Sequence, residues 1–258
     1  MIKDCFNRVA LLTGVDAFDA LASRSVIIFG VGGVGSWAAE ALVRSGISRL
    51  TIVDADTVAA SNINRQLPAT ASTVGRVKVD VMKQRLLDIN PEASIDAIHD
   101  FYNAETQSRY DLRSYDYIID AIDSLADKAL LILNATAVMA ETARSDRPVT
   151  FYSSMGAALK LDPSRIAVAE FWKVKGCPLA AALRRKFKKS GVFPARKFKC
   201  VYSDELVANH PDASRLADRS GAMSYGKVST NGAMMHITAI FGMTLASLVI
   251  RDVMARLK

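Results

Sequence analysis

Cysteine is scarce in this chain of 258 residues. There are three, Cys5, Cys177 and Cys200, and no two form a C-x-x-C pair. An odd, scattered set excludes a disulfide framework and a four-cysteine zinc site. No zinc is therefore expected, and a reducing cytoplasm is the natural setting. The N-terminus lacks the charged stretch and apolar run of a secretory leader, so export is not expected. Internal repeats and low-complexity tracts are missing too, which argues against solenoids and disordered arrays. Carboxylates are in deficit, 26 against 33 lysines and arginines, for a net charge of +7. That balance admits nucleic acid, phosphorylated small molecules or an anionic membrane as partner. Much of the excess lies in one run, Arg184 to Lys199, RRKFKKSGVFPARKFK. It reads as a solvated helix face with its loop, or as a polyanion patch, since Phe187, Phe193 and Phe198 interleave with the cations.

What is present is a strong alternation of two periodicities. Short apolar runs at Ser25–Phe29, Leu50–Val53, Ser94–Ile98, Tyr117–Ile119 and Val149–Tyr152 read as strands. Between them, Gly35–Ser45, Arg76–Ile89 and Lys128–Thr142 place apolar residues three and four apart, the helical spacing. Strand–helix alternation predicts βαβ units and a doubly wound, mostly parallel α/β sheet. Helix starts are expected at Gly35-Ser36 and Asp123-Ser124. Beyond Pro163, strands are predicted at Ile166–Phe171 and Phe198–Ser203, with a basic helix at Leu179–Lys189 between them. The polar segment Ser203–Ser220 reads as a loop beside the site. The run Gly232–Ile250, GAMMHITAIFGMTLASLVI, is nearly long enough to span a bilayer. Its Gly, Thr, Ser and His, and its continuation into RDVMARLK, favour a core or subunit-interface helix over membrane contact. His236 within it reads as a structural histidine.

The stretch VIIFGVGGVGS, Val26 to Ser36, carries the first chemistry. A strand running through G-x-G-G-x-G into a helix is a phosphate cradle. Gly30 permits the tight turn, Gly32 lets backbone N–H groups approach a phosphate, and Gly35 allows helix to pack on strand. The phosphate then meets the positive end of the helix. Asp54 follows where a carboxylate reaches ribose hydroxyls. To this point a dinucleotide and ATP are both open. The residues that follow favour ATP. DADTVAASNINRQ (Asp54–Gln66) and GRVKVDV (Gly75–Val81) supply Arg65 and Lys78, the cations that attack on a triphosphate needs. DAIDS, Asp120–Ser124, ends a strand at the ligand-binding edge, where a carboxylate can hold Mg²⁺. No nicotinamide pocket or hydride-transfer acid is evident.

In order, GVGGVGS, VDAD, SNINRQ, GRVK and DAIDS resemble the nucleotide motifs of the ubiquitin-activating-like adenylating superfamily. The resemblance implies a single adenylating domain over 1–258, with an ATP-binding core at 1–160. A substrate-side, β-rich extension and the apolar helix would occupy 161–258. It implies that Gly30, Gly32, Gly33 and Gly35 line the phosphates and that Asp54 holds the ribose. Asp56 and Gln66 would join the same nucleotide site. Asn64, Arg65 and Lys78 would contact the triphosphate, with Asp123 on Mg²⁺. The family's N-terminal R-[YF]-x-R stands here as Cys5-Phe6-Asn7-Arg8. Arg8 matches the arginine that enters the partner subunit's ATP site, which implies a homodimer; Cys5 departs from the pattern.

Two branches of the family remain to be weighed. Adenylyltransferases that activate the C-terminal glycine of a sulfur-carrier protein often carry C-x-x-C zinc ligands, absent here. A sulfur-carrier or sulfur-transfer protein stays open as a partner. Cys177 precedes Pro178 at a helix start, where a thiolate is favoured. However, CPLAAALRR, KCVYSDE, GAMSY and SWAAEALVRSGI are similar to the transfer-RNA threonylcarbamoyladenosine dehydratases. That branch implies ATP-dependent cyclisation of N6-threonylcarbamoyladenosine beside the anticodon, with tRNA as substrate. Arg184, Arg185, Lys186, Lys188 and Lys189, with Arg196 and Lys197, would then hold the RNA backbone.

Overall fold

The strand Ser25–Phe29, SVIIF, sets the architecture because both of its faces are apolar. In the computed structural model, which describes residues 4–211 and 231–257, Val26 and Ile28 pack into one core and Ile27 and Phe29 into another. A strand buried on both sides belongs at the centre of a parallel sheet with helices on each face.

The described elements are α1 (Asn7–Thr13), α2 (Val15–Ala22), β1 (Ser25–Phe29), α3 (Gly35–Arg44), β2 (Arg49–Val53), α4 (Lys78–Ile89) and β3 (Ser94–Ile98). Then come β4 (Tyr117–Asp120), α5 (Leu125–Glu141), β5 (Thr150–Ser154), β6 (Ile166–Glu170), α6 (Pro178–Ser190), β7 (Lys199–Ser203) and α7 (Met235–Ala255). The seven strands form one sheet, ordered β3-β2-β1-β4-β5-β7-β6. All neighbours run parallel except β6, which pairs antiparallel with β7. This is the doubly wound α/β sheet expected from the sequence. Residues of α3, α4 and α7 cover one face, and residues of α5 and α6 cover the other.

The ends of β1, β2 and β4 share one edge, the carboxyl edge, and the order reverses between β1 and β4. That switch point is where such sheets open a crevice for ligands. Gly30 leaves β1 there with φ of 89°. A Cβ on it would sit 2.7 Å from the Ala121 carbonyl oxygen, so only glycine fits. Gly35, the first residue of α3, lies against the Gly30 carbonyl for the same reason.

The apolar C-terminal run forms α7, which continues without a break through Asp252. By length and hydropathy it qualifies as a membrane span, yet Ile237, Phe241, Leu245, Val249 and Val253 are all buried within the protein. Each such side chain contributes about 1.5–3 kcal/mol when taken out of water. A Cβ at Gly242 would lie 2.8 Å from the Ala38 nitrogen and still closer to the Val34 carbonyl oxygen. Backbone therefore meets backbone where α7 crosses the start of α3. His236 is satisfied by the Leu161 carbonyl oxygen at 2.9 Å, a structural role as expected. The GAMSY motif, and the loop prediction from position 212 onward, lie outside the described residues.

Candidate functional site

The glycine loop and the first turn of α3 hold the SNINRQ segment against them. Ser36 Oγ donates to the Gly32 carbonyl (2.6 Å) and accepts from Leu67 N (3.3 Å). Trp37 Nε1 donates to the Arg65 carbonyl at 3.2 Å. A Cβ on Gly33 would stand 3.3 Å from Arg65 Cγ and 3.2 Å from Thr238 Oγ1. Arg65 and α7 thus close over the loop from two sides. Thr238 was not foreseen from the sequence, because it comes to the glycine loop from the far end of the chain.

Arg65 is steered by its own segment. Its guanidinium donates to the Ser61 carbonyl (2.9 Å) and to Asn64 Oδ1 (2.8 Å). Asn64 in turn donates to the Ala233 carbonyl at 2.9 Å, tying the segment to the approach of α7. Burial lowers the Arg65 pKa, while the charge of Asp123 pushes it back up. Arg65 and Asp123 are therefore electrostatic partners beside the glycine loop. Gln66 reaches the same place, with its side-chain nitrogen 3.7 Å from where a Gly32 Cβ would be. Its Oε1 is buried without a hydrogen-bond partner.

A second cluster stands at the end of β2. Asp54 accepts from Val31 N (2.6 Å), Asp56 N (2.9 Å) and Lys78 Nζ (3.1 Å). Lys78 also donates to Asp56 at 2.9 Å. Lys78 is only 2 % exposed. Its ammonium is therefore held by two carboxylates rather than left to solvent. An ionised carboxylate has about four acceptor positions, so Asp54 retains room for one more donor.

The DAIDS motif splits into two roles. Asp120 is wholly buried and meets Lys128 Nζ at 2.7 Å. It also accepts from Ser153 Oγ (2.6 Å) and Ile122 N (3.0 Å). Burial pushes its carboxyl pKa up, against the pull of Lys128 and these hydrogen bonds. Lys128 donates to the Ile122 carbonyl as well, at 2.9 Å. Asp120 is thus the clamp of the loop that carries Asp123, the carboxylate whose charge acts on Arg65. Lys128 and Ser153 escaped the sequence reading, since neither stands in a recognisable motif.

Other expected residues lie elsewhere. Arg8 is exposed on α1, and Phe6, the residue before that helix, packs its ring at a tilt against Phe18 of α2. Phe18 abuts Gly46, past the end of α3 remote from the glycine loop. Arg184 is turned into the fold: it donates to the carbonyls of Phe171 (3.1 Å) and Val174 (3.0 Å) and lies over the Phe171 ring. It is therefore committed to packing, which corrects its place among the backbone-binding cations. Arg185, Lys186, Lys188, Lys189, Arg196 and Lys197 are exposed. Cys177 and Cys200 are buried, and burial raises the Cys200 thiol well above its ordinary value.

Comparisons with known proteins bear on the fold and the family. The ThiF family model matches residues 6–159. A tRNA threonylcarbamoyladenosine dehydratase of Bacillus subtilis is 42% identical over 200 residues, covering 78% of this chain and 74% of that protein. The Escherichia coli protein of the same name is 36% identical, covering 97% and 94%. The crystal structure of an E. coli tRNA N6-threonylcarbamoyladenosine dehydratase in complex with ATP superimposes with a TM-score of 0.80 at 33% identity, covering 99% of this chain and 98% of the other. A sheet that opens its glycine loop at the switch point, and relatives alike over most of the chain, lead to one assignment: the chain belongs to the ThiF family and, within it, to the tRNA threonylcarbamoyladenosine dehydratases.

Proposed function

We propose that this chain uses ATP to convert N6-threonylcarbamoyladenosine in tRNA into its cyclic form by adenylating the threonyl carboxylate. The observation that carries this reading is Arg65 closing over the glycine loop, its Cγ 3.3 Å from where a Gly33 Cβ would stand, with the charge of Asp123 acting on its guanidinium. A site that only binds a nucleotide has no need of a cation and a carboxylate poised together there.

The chemistry follows from the leaving group. Hydroxide leaves poorly, so the carboxylate must be activated. A carboxylate oxygen attacks the α-phosphorus of ATP and pyrophosphate departs, giving an acyl-adenylate. Backbone N–H groups of Gly32–Gly35 and the α3 dipole receive the phosphates. Arg65 and Lys78 offset the charge that builds on phosphorus and on the leaving group. Lys78 can turn toward phosphate because its present partners are carboxylates at the rim of the same crevice. Asp54, with Asp56, faces the ribose, and the unpartnered Gln66 Oε1 suits a hydroxyl or amine of the nucleotide. The carbamoyl group then attacks the activated carbonyl carbon and AMP leaves, closing a five-membered ring. Because that nucleophile is already tethered, effective molarity replaces an enzyme thiol. Buried Cys177 and Cys200 fit that economy better than they fit transfer to a sulfur-carrier protein.

Magnesium fits the donor set. Asp123 follows the end of β4 at the carboxyl edge, and no cluster of three metal-ligating side chains occurs among the described residues. Mg²⁺ commonly uses one or two carboxylates, with phosphates and water completing the shell. When bound it would shield phosphate oxygens, and Asp123 would hold it. The protein acts as a cytoplasmic homodimer, with Arg8 entering the partner's site. Leu11 and Leu12, 85% and 87% exposed on α1 beside Arg8, supply an apolar surface for that contact.

The test combines purified protein, ATP, Mg²⁺ and tRNA carrying the modification, followed by mild digestion and mass spectrometry. ATP-dependent loss of one water from the nucleoside is expected, and Asp123→Asn should lower kcat/KM by about 100-fold or more. No product, with AMP released only when a Gly-Gly-tailed carrier protein is added, would replace this reading with sulfur-carrier activation.

A further inference from the structure

From Phe171 to Ser203 the chain holds ten lysines and arginines and no carboxylate. With a net charge of +7 overall, the remainder is slightly acidic, so the basic character is local. Its position in the fold is informative. α6 begins at the carboxyl edge, where Gly176 abuts Asp204 just past β7. It then runs back along the sheet; its 13 residues span about 20 Å. Its basic half therefore ends at the opposite, amino edge. There Ala195 N donates to Thr136 Oγ1 in the later part of α5, and Phe198 leads into β7. Trp172 lies at this edge as well, because Glu170, the last residue of β6, pairs with Lys199, the first of β7. The Trp172 and Phe193 rings are 6.1 Å apart, and are 38% and 52% exposed. Around this pair, Arg185, Lys186, Lys188, Lys189, Arg196 and Lys197 face solvent.

A cationic edge with an open aromatic pair suits a polyanion whose units have flat faces. Cations track phosphates, and an exposed ring accepts a base of any identity. An acidic protein would match the charge and leave the rings without purpose. Yet this edge lies across the sheet from the glycine loop, too far to hold the nucleotide being modified in the same subunit. We propose that the amino edge is a second RNA-binding surface that grips tRNA outside the anticodon stem-loop, with cations on phosphates and the Trp172–Phe193 pair against an unstacked base. The proposal rests on tRNA being the substrate. It assigns substrate selection to two separated contacts, one reading the modification and one requiring the body of the molecule.

The experiment measures binding by fluorescence anisotropy with two labelled RNAs, a full-length tRNA and its isolated anticodon stem-loop. The variants are K186A/K189A/R196A, whose changes lie on exposed side chains, and Trp172→Ala with Trp172→Phe as the conservative control. For full-length tRNA the triple variant should raise Kd about ten-fold and reduce the salt slope by about 3. Trp172→Ala should raise it about ten-fold too, with Trp172→Phe near wild type. Kd for the stem-loop should move by less than about two-fold. Equal weakening for both RNAs would overturn the proposal by placing the anticodon arm on this edge. No change for either would overturn it by removing RNA from this edge. Failure of the dehydratase reading shows separately, as wild-type protein yielding no water-loss product.

Discussion

Asp120 and Lys128 form an ion pair at 2.7 Å with neither side chain exposed to solvent. The pair holds Ile122 by both of its backbone polar groups, since Asp120 accepts from Ile122 N and Lys128 donates to Ile122 O. The position of Asp123, one residue on, is thus set by two groups buried away from solvent. Removing one partner strands a buried charge. Lys128→Met is expected to destabilise the fold by about 3–5 kcal/mol. Combining it with Asp120→Asn should recover much of that loss. Urea titrations of the two variants check this, and a double variant no better than the single would contradict it.

Gly242 offers a test with an inverted sign. Within a helix, alanine ordinarily gains about 1 kcal/mol over glycine. Here the added methyl would strike the backbone at the start of α3. Gly242→Ala should therefore lower stability by about 1–3 kcal/mol. It should also weaken ATP binding, because α3 opens at the phosphate cradle. Thermal melts and ATP titration calorimetry measure both; a more stable variant would refute the close contact.

The acid limb of stability should depend on Asp116. Burial opposes its ionisation, but Arg147, Ser25 N and the Ser25 hydroxyl outweigh that and hold its pKa at about 2, below the ordinary 3.8. A depressed carboxylate stabilises the fold above its unfolded value, and the benefit is lost as pH falls from about 4 toward 2. The loss amounts to about 2 kcal/mol. Arg147→Ala should flatten this limb in urea midpoints measured from pH 5 to 2.5. An unchanged slope would show that Asp116 is not the group responsible.

Thiol chemistry separates surface from core. Cys5 is exposed, whereas Cys177 and Cys200 are buried. Native alkylation should modify one cysteine quickly, identified as Cys5 by peptide mapping. Cys177→Ala should keep turnover within about two-fold, because the tethered carbamoyl group supplies the nucleophile. A dead variant that still folds would restore a catalytic thiol.

Much of this was legible in the residues. β1 and β3 fall where their runs of alternating and β-branched residues placed them, and α3 begins at Gly35 as read. β2 and β4 each extend one residue further, to Arg49 and Asp120, because the parallel ladder continues through them. α1 and α2 went unread. Each is short, and Gly14 with φ of 87° breaks them before a helical period can accumulate. The ATP motifs were visible because their chemistry is local in sequence. What escaped was long-range: Lys128 looked like one polar position in an amphipathic helix, and Thr238 like a hydroxyl in an apolar run. Arg184 sat in a uniform row of cations, and only the helix's rotation shows that it alone among Arg184–Lys189 turns to the carbonyls of Phe171 and Val174.

The central claim is that the threonyl carboxylate attacks the α-phosphorus of ATP. It is tested most directly by labelling that carboxylate with ¹⁸O and analysing the products by mass spectrometry. Adenylation followed by ring closure leaves one carboxylate oxygen on phosphorus, so AMP should carry a single ¹⁸O and pyrophosphate none. Label in inorganic phosphate, with ADP as the nucleotide product, would mean attack at the γ-phosphorus and would contradict the account.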